Sequence, residues 1–237
     1  MEKNIVVTGG SKGIGRAVVE RFVQAGFVVV TCARSEQDLV ELKEAIERKN
    51  PGAVLHTLAT DISNREGAVQ FANFVLQLPG ELAAVVNNAG AFVPGRLQDE
   101  PADGSQLRDM LAVNLLSAYD VTRTLLPRLI AQRAGHIFTV CSTASLGAYP
   151  AGSSYSIAKF ALYGLTQNLR EELKEHQIRV TAVLPGPTYT PSWEGAGLPP
   201  ERFIKPEDVA EAIFSAYSLS PQAVVEELLI RPQLGDL

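Results

Sequence analysis

Seven short apolar runs rich in β-branched residues recur along the chain: Ile5–Thr8, Val28–Cys32, Val54–Leu58, Ala83–Asn87, His136–Cys141, Val180–Leu184 and Val224–Ile230. They are hydrophobic almost throughout rather than at every second position, as parallel strands covered on both faces are. Between them, apolar residues at helical spacing predict helices near 15–25, 105–132, 153–176 and 206–218. Two further helix starts are marked by Ser35-Glu36-Gln37-Asp38 and Ser63-Asn64-Arg65-Glu66. Both read as capping boxes, in which the serine satisfies free backbone N–H groups. Strand–helix alternation without linker or repeat predicts one α/β domain over residues 1–237. Its expected form is a Rossmann-like, doubly wound parallel sheet of about seven strands with helices on both faces.

Two segments interrupt the rhythm. Residues 91–103 follow the fourth run and carry two prolines; residues 185–206 follow the sixth and carry six, with Trp193 among them. Both leave the carboxyl ends of strands, where open α/β sheets bind ligands, so both are expected to shape a binding site. The composition narrows what could bind. Lys plus Arg number 21 against 26 Asp plus Glu, with no basic cluster, which argues against a nucleic-acid partner. Cys32 and Cys141 sit inside apolar runs with no C-x-x-C, as buried free thiols of a reducing compartment would. Strand-like residues begin at Asn4, read as leaving no room for a signal peptide. No apolar stretch reaches the roughly 18–20 residues that span a bilayer. A cytoplasmic protein without a membrane partner is expected.

The first run leads into Thr8-Gly9-Gly10-Ser11-Lys12-Gly13-Ile14-Gly15 and then a helix. Glycines 9, 13 and 15 let the backbone turn sharply and approach a pyrophosphate, while the helix offers free N–H groups to that anion. The spacing is G-x3-G-x-G, not the commoner G-x-G-x-x-G, and no Gly-Lys-Ser/Thr makes it a P-loop. A dinucleotide site preferring a free 2′-hydroxyl normally places an acid about 20 residues further on. Here the second run ends Thr31-Cys32-Ala33-Arg34, and the nearest acid considered, Glu36, suits the first turn of a helix. Arg34 could clamp a 2′-phosphate and Lys12 add a second charge, so the site reads as one for NADP(H). Ordinary solvated charges are the plainer alternative for both.

After the fifth run come Ser142 and, thirteen residues later, Tyr155, with Lys159 four beyond it on the same helical face. An ammonium beside a phenol lowers the phenol's pKa and makes it a usable acid or base near neutrality. Alone the Y-x-x-x-K pattern says little. In order and spacing, however, Thr8-Gly9-x3-Gly13-x-Gly15, Asn87-Asn88-Ala89-Gly90, Asn114, Ser142, Tyr155-x3-Lys159 and Pro185-Gly186 resemble the short-chain dehydrogenase/reductase family over about residues 3–215.

The resemblance implies an oxidoreductase that moves a hydride between a nicotinamide and a carbonyl or alcohol. Tyr155 would exchange the proton and Ser142 hydrogen-bond the substrate oxygen. Lys159 would hold the nicotinamide ribose and lower the tyrosine pKa, and Asn114 would hold a water linking Lys159 to solvent. Asp61 and the neighbouring Ile62 would meet the adenine, although Asp61 could equally be a helix-start acid. Asn88, Ala89 and Gly90 would pass close to the riboses; Pro185, Gly186 and Thr188 or Thr190 would meet the carboxamide. Ser11 and Ile14 complete the expected cofactor contacts.

Phe92, Pro94, Tyr149 and Trp193 are candidate pocket groups, with no obvious cation beside them, which favours an uncharged ketone, aldehyde or steroid-like ring; a 3-oxoacyl thioester is also conceivable. His56, His136 and His176 stand isolated, and no cluster has metal-ligand spacing. The family's usual glycine-rich end is replaced by Glu226–Leu237, which leaves subunit contacts and closure of the site open. Relatives pair through helices matching 105–132 and 153–176, so a homodimer or homotetramer is implied; Leu111, Leu115 and Ala118 would permit it but equally suit the sheet. Two rivals are an epimerase or dehydratase, which usually has a larger substrate domain, and a nucleotide-sensing scaffold, in which the catalytic residues would be degenerate.

Overall fold

In a computed structural model that describes residues 2–148, 151–193 and 197–237, the seven apolar runs form one parallel sheet. Its strands are β1 (Lys3–Thr8), β2 (Val28–Ala33), β3 (Leu55–Ala59), β4 (Glu81–Asn87), β5 (His136–Val140), β6 (Arg179–Pro185) and β7 (Glu227–Ile230). Their order is β3-β2-β1-β4-β5-β6-β7. Successive side chains on a strand point to opposite faces, which is why nearly every strand position is apolar. Ile5 and Val7 pack with α1 (Gly13–Gln24), α2 (Glu36–Lys49) and α7 (Pro206–Tyr217) on one face. Val6, Val30 and Val85 pack with α3 (Arg65–Gln77), α5 (Ser117–Gln132) and α6 (Ser153–Leu173) on the other. Tiled on both sides, the sheet is a rigid platform whose strand ends are fixed in space.

Three local expectations are corrected. The cap of α3 is Asn64, not Ser63: its side chain accepts from Gly67 N at 2.9 Å, while Ser63 N is held by Asp61. The seventh strand begins at Glu227 rather than Val224, because the Val225 carbonyl accepts from Thr181 Oγ1 at 2.6 Å instead of from a ladder N–H. The long helix over 105–132 is broken into α4 (Ser105–Leu111), a widened π turn at Ala112–Leu116, and α5. Asn114 lies within that turn, and π turns interrupt helices mostly at functional sites.

Both cysteines are buried free thiols. Burial pushes Cys32 up to about 12 and Cys141 to about 11, so neither is a nucleophile near neutrality. His136 is also buried and its pKa falls to about 2. Thr181 spends its proton on Val225 and accepts from His136 Nε2 at 2.7 Å, so the neutral ring serves the sheet. Among the described residues no helix is long and apolar enough to cross a membrane.

Candidate active site

The strand order reverses direction at the β1–β4 pair, and the crevice at their carboxyl ends is where such sheets bind ligands. Beyond Val7 and Val86 the ladder between them ends. Side chains take over: Thr8 Oγ1 accepts from Asn88 N at 2.9 Å and Ala89 N at 3.0 Å. Asn88 Nδ2 donates back to Thr8 O and Gly9 O at 2.9 and 3.1 Å. Gly15 lies behind this bracket, where a Cβ would sit 2.3 Å from Gly9 O. The glycine loop is therefore held against β4 by groups that any larger residue at 15 would displace.

A cavity of about 1110 Å³ opens above the bracket. Every expected cofactor residue lines it except Gly15: Gly9, Ser11, Lys12, Gly13, Ile14, Arg34, Asp61, Ile62, Asn88, Ala89, Gly90, Tyr155, Lys159, Pro185, Gly186, Thr188 and Thr190. Helix α1 begins there with no side-chain cap and no acid in its first turn. By contrast α2, α3 and α7 each carry at least one acid in theirs. Uncapped N–H groups and a positive helix end, presented over a glycine loop, fit a pyrophosphate. Pro185 and Gly186 leave β6 into a loop that returns to the glycine loop, since a Cβ on Gly13 would lie 3.1 Å from Thr190 Cγ2. Thr188 is buried with its hydroxyl on Gly186 O at 3.0 Å, whereas Thr190 faces Gly13.

At the far end of the groove the charges are more mixed than the sequence suggests. Arg34 and Lys12 are exposed there, but the acid beside them is Asp38 rather than Glu36: its Oδ2 is 2.8 Å from Lys12 Nζ. Asp38 also belongs to the first turn of α2, whose cap Ser35 accepts from Asp38 N at 3.1 Å. Asp61 is held below the ordinary carboxylate range by the Ser63 N–H, with Arg34 adding to the effect.

The other end assembles Ser142, Tyr155, Lys159 and Asn114. Ser142 follows β5, and its Oγ accepts from Ala144 N at 3.1 Å, leaving its proton to donate into the cavity. Lys159 is buried, with Nζ 2.9 Å from Val140 O and 5.7 Å from the Tyr155 ring centroid. Burial lowers its pKa to about 8, partly offset by Cys141. Asn114 donates to Ala91 O at 2.9 Å and Met110 O at 3.1 Å, and accepts from Ala91 N at 3.2 Å. Its amide thus ties the π turn to the strand end. A Cβ on Gly90 would lie 2.7 Å from Asn114 Oδ1 and 3.4 Å from Lys159 Nζ, so glycine keeps open the space between them.

The loop from β4 holds this end in place. Helix α6 has Gly152 at its cap position and no capping side chain of its own. Glu100 supplies one across the chain, accepting from Ser154 N at 3.1 Å and Ser154 Oγ at 2.5 Å. Gly95 exchanges backbone hydrogen bonds with Ala151 and Ser153 at 2.8 and 3.2 Å. Phe92, on the same loop, packs edge-on against Tyr155 at 5.0 Å, and Trp193 closes over Phe92 from the loop after β6. Pro94 is exposed and outside the cavity lining; Tyr149 lies outside the described residues. Sequence reasoning named Thr8 only as the head of the glycine motif and Asp38 only in a capping box, and it missed Glu100. It also missed Met110, Leu146, Arg231 and Asp236 on the cavity wall. Arg231 is the cation not foreseen there, and it is ion-paired with Asp236. Its signal was available, since it directly follows the seventh strand. Among the described residues no group of His, Cys, Asp or Glu could hold a metal ion.

A parallel sheet with this crevice, glycine loop and Tyr–Lys helix defines a nucleotide-binding oxidoreductase class. A family model described as short chain dehydrogenase matches residues 3–198, and the chain belongs to that family. It is 30% identical over 245 residues to the sepiapterin reductase of Chlorobaculum tepidum, covering 100% of this chain and 99% of that protein. The alcohol dehydrogenase of the archaeon Thermococcus sibiricus, solved with 5-hydroxy-NADP, superposes with a TM-score of 0.89 at 27% identity, covering 98% of this chain and 97% of that one. A metagenomic short-chain oxidoreductase in complex with NADP gives 0.83 at 30% identity, with the same coverage.

The buried ammonium has a measurable signature. Between about 8 and the usual lysine pKa near ~10.4 the unfolded chain binds a proton that the folded chain does not, so Lys159 makes stability rise with pH there. Urea unfolding of the natural chain and Lys159→Met from pH 7 to 10 should move their stability difference by about 2–3 kcal/mol in the natural chain's favour. A flat difference would mean the ammonium is not desolvated. The cap has a simpler test. Glu100→Ala should cost about 1–2 kcal/mol and Glu100→Gln clearly less, because the amide oxygen still accepts from Ser154. Equal losses in the same urea titration would rule out capping as its role.

Proposed function

We propose that the chain is an NADP(H)-dependent carbonyl reductase or alcohol dehydrogenase with Tyr155 as its acid/base. The observation carrying this reading is that Ser142, Tyr155, Lys159 and Asn114 line one wall of the same cavity whose floor is the glycine loop. When bound, the nicotinamide supplies or accepts the hydride at the substrate carbon. Ser142 Oγ donates to the substrate oxygen and stabilises charge that develops there. The Tyr155 hydroxyl gives its proton to that oxygen in reduction and takes it back in oxidation. Lys159, a buried charge close to Tyr155, stabilises the phenolate left behind. The space that Gly90 leaves between Asn114 and Lys159 suits a relay water through which the phenolate is reprotonated.

The NADP(H) preference rests on Arg34 and Lys12 at the adenosine end, and is supported by relatives solved with NADP and 5-hydroxy-NADP. Lys12 is exposed in its pair with the half-buried Asp38, so a dianionic 2′-phosphate can compete for it. Self-association is supported by Leu116, Tyr119, Ile157 and Phe160, which are exposed along the π turn, α5 and α6. Leu111 and Leu115 are half-buried, and Ala118 packs against the sheet beside Leu162 and Leu184.

Two variants test the mechanism and the cofactor separately. Tyr155→Phe should lower kcat for NADPH-linked carbonyl reduction by about 10²–10⁴-fold, with NADPH affinity within about threefold. Near-normal turnover would remove Tyr155 from the chemistry. Arg34→Ala should weaken NADPH by about 10–100-fold and leave NADH almost unchanged, as expected on losing a charge-assisted clamp. Titrating both nucleotides decides it: parallel losses would show that Arg34 does not read the 2′-phosphate.

A further inference from the structure

Helix α6 carries both Tyr155 and Lys159, and it is anchored on either side of Tyr155. Lys159 fixes the second turn, through Nζ to Val140 O at 2.9 Å. The first turn is fixed from outside the helix. Its first backbone N–H, on Ser153, donates to Gly95 O at 3.2 Å. The next, on Ser154, donates to Glu100 Oε1 at 3.1 Å, and Ser154 Oγ donates to the other carboxylate oxygen at 2.5 Å. Ser154 is buried, and Glu100 serves both of its donors. Helices α2 and α3 draw their caps from the residue just before them, Ser35 and Asn64, whereas α6 draws its own from 54 positions away.

The far side of that contact is also held. Gly95 N donates to Ala151 O at 2.8 Å. A Cβ at Gly95 would lie 3.0 Å from Gln106 Nε2 and 3.5 Å from Glu100 Cγ, so the segment is packed against α4 as well as α6. Neither Glu100 nor Ser154 lines the cavity, so any influence of Glu100 on a reaction there passes through the turn it holds. Helix ends whose N–H groups lack partners fray first. Tyr155 is the third residue of α6 and Lys159 lies a turn deeper. Loss of the Glu100 contact would therefore loosen Tyr155 and leave Lys159 on Val140. A donor must stand within hydrogen-bond reach of the oxygen it protonates, and a misplacement of about 1 Å costs about 10²-fold in rate.

We propose that Glu100 is a positioning residue for the acid/base: through Ser154 it sets where the Tyr155 hydroxyl stands relative to Ser142 and Lys159, without touching substrate or cofactor. The proposal rests on the reading of Tyr155 as acid/base and adds the residue that keeps that phenol in register. A carboxylate suits the task because it accepts from two donors at once and its charge is favoured at a helix N-terminus.

The probes are diacetyl, acetophenone and ethyl acetoacetate, each with NADPH and the full chain. For those that the natural chain reduces, Glu100→Ala should lower kcat by about 10–100-fold while NADPH affinity stays within about threefold. Glu100→Gln, whose amide oxygen still accepts from Ser154 N, should keep kcat within about threefold. The milder Ser154→Ala, which retains the backbone donor, should lower kcat by about 3–10-fold. The double variant should be no worse than Glu100→Ala alone, within about twofold, because both changes remove one contact. A cap that serves stability alone would leave kcat of the folded enzyme unchanged in all of them. Amide exchange followed by NMR reads the contact without turnover: Ser154 N–H should exchange at least about tenfold faster in Glu100→Ala and near the natural rate in Glu100→Gln. Unchanged kcat in Glu100→Ala, additive losses in the double variant, or unchanged exchange would each overturn the positioning role while leaving the reductase reading intact. Reduction of none of the three ketones by the natural chain would count against that reading instead, and the exchange rates would still decide whether Glu100 holds the Tyr155 turn.

Discussion

Everything in this molecule depends on how the chain satisfies its backbone where β1 and β4 stop pairing. At a strand-order reversal the helices that follow leave for opposite faces, and the last peptide groups of both strands lose their ladder partners. Thr8 and Asn88 supply them, each bonding the backbone that carries the other. The result is an open crevice with a rigid floor. Because Thr8 and Asn88 spend their hydrogen bonds on structure, the groups left free to face a ligand are the uncapped N–H groups of α1. The binding chemistry of the loop is what remains once the fold's own requirements are met.

The same economy operates at the catalytic end, with a cost attached. A lysine taken out of water loses much of its affinity for a proton, and Lys159 keeps only one described hydrogen bond, to Val140 O. It is tolerated because Val140 ends β5 inside a sheet tiled on both faces, which gives the carbonyl a fixed position. Tyr155 needs equal rigidity, yet it lies in the first turn of a helix with a glycine cap. Glu100 and the Gly95 bridge brace that turn from the loop after β4. The loop that carries Phe92 therefore also braces the turn that carries Tyr155, so the two cannot vary independently.

How much of this could be read in the sequence follows from the range of each interaction. Strands buried on both faces leave continuous apolar runs, so all seven were legible to within a few residues, and the Ser35 cap announced α2. Local competition was not legible. Whether Ser63 or Asn64 caps α3 turns on Asp61 taking Ser63 N, and the start of β7 turns on Thr181 reaching Val225. The site divides the same way. The Tyr155–Lys159 spacing is helical geometry and needs no structure, whereas Glu100 and Ser154 are 54 positions apart and only the folded chain joins them. Asp38 was visible as the last residue of a capping box, but not as the partner of Lys12.

That last pair bears on how a basic rim can work in an acidic chain. With 26 acids against 21 bases the background field opposes an anionic cofactor. An isolated cation would attract any passing anion, whereas the exposed Lys12 is held by Asp38 in a pair that a single acetate-like charge gains little by replacing. On the proposed NADP(H) reading, a phosphate with two charges and three acceptor oxygens gains more, since Arg34 would share the load. On that reading Asp38 acts as a threshold: it would lower the attraction for weak anions and leave it for a 2′-phosphate. Elsewhere on the cavity wall Arg231 is paired with Asp236 in the same way. If the site takes NADP(H) as proposed, Arg34 beside the Lys12–Asp38 pair is what lets that pair admit a 2′-phosphate.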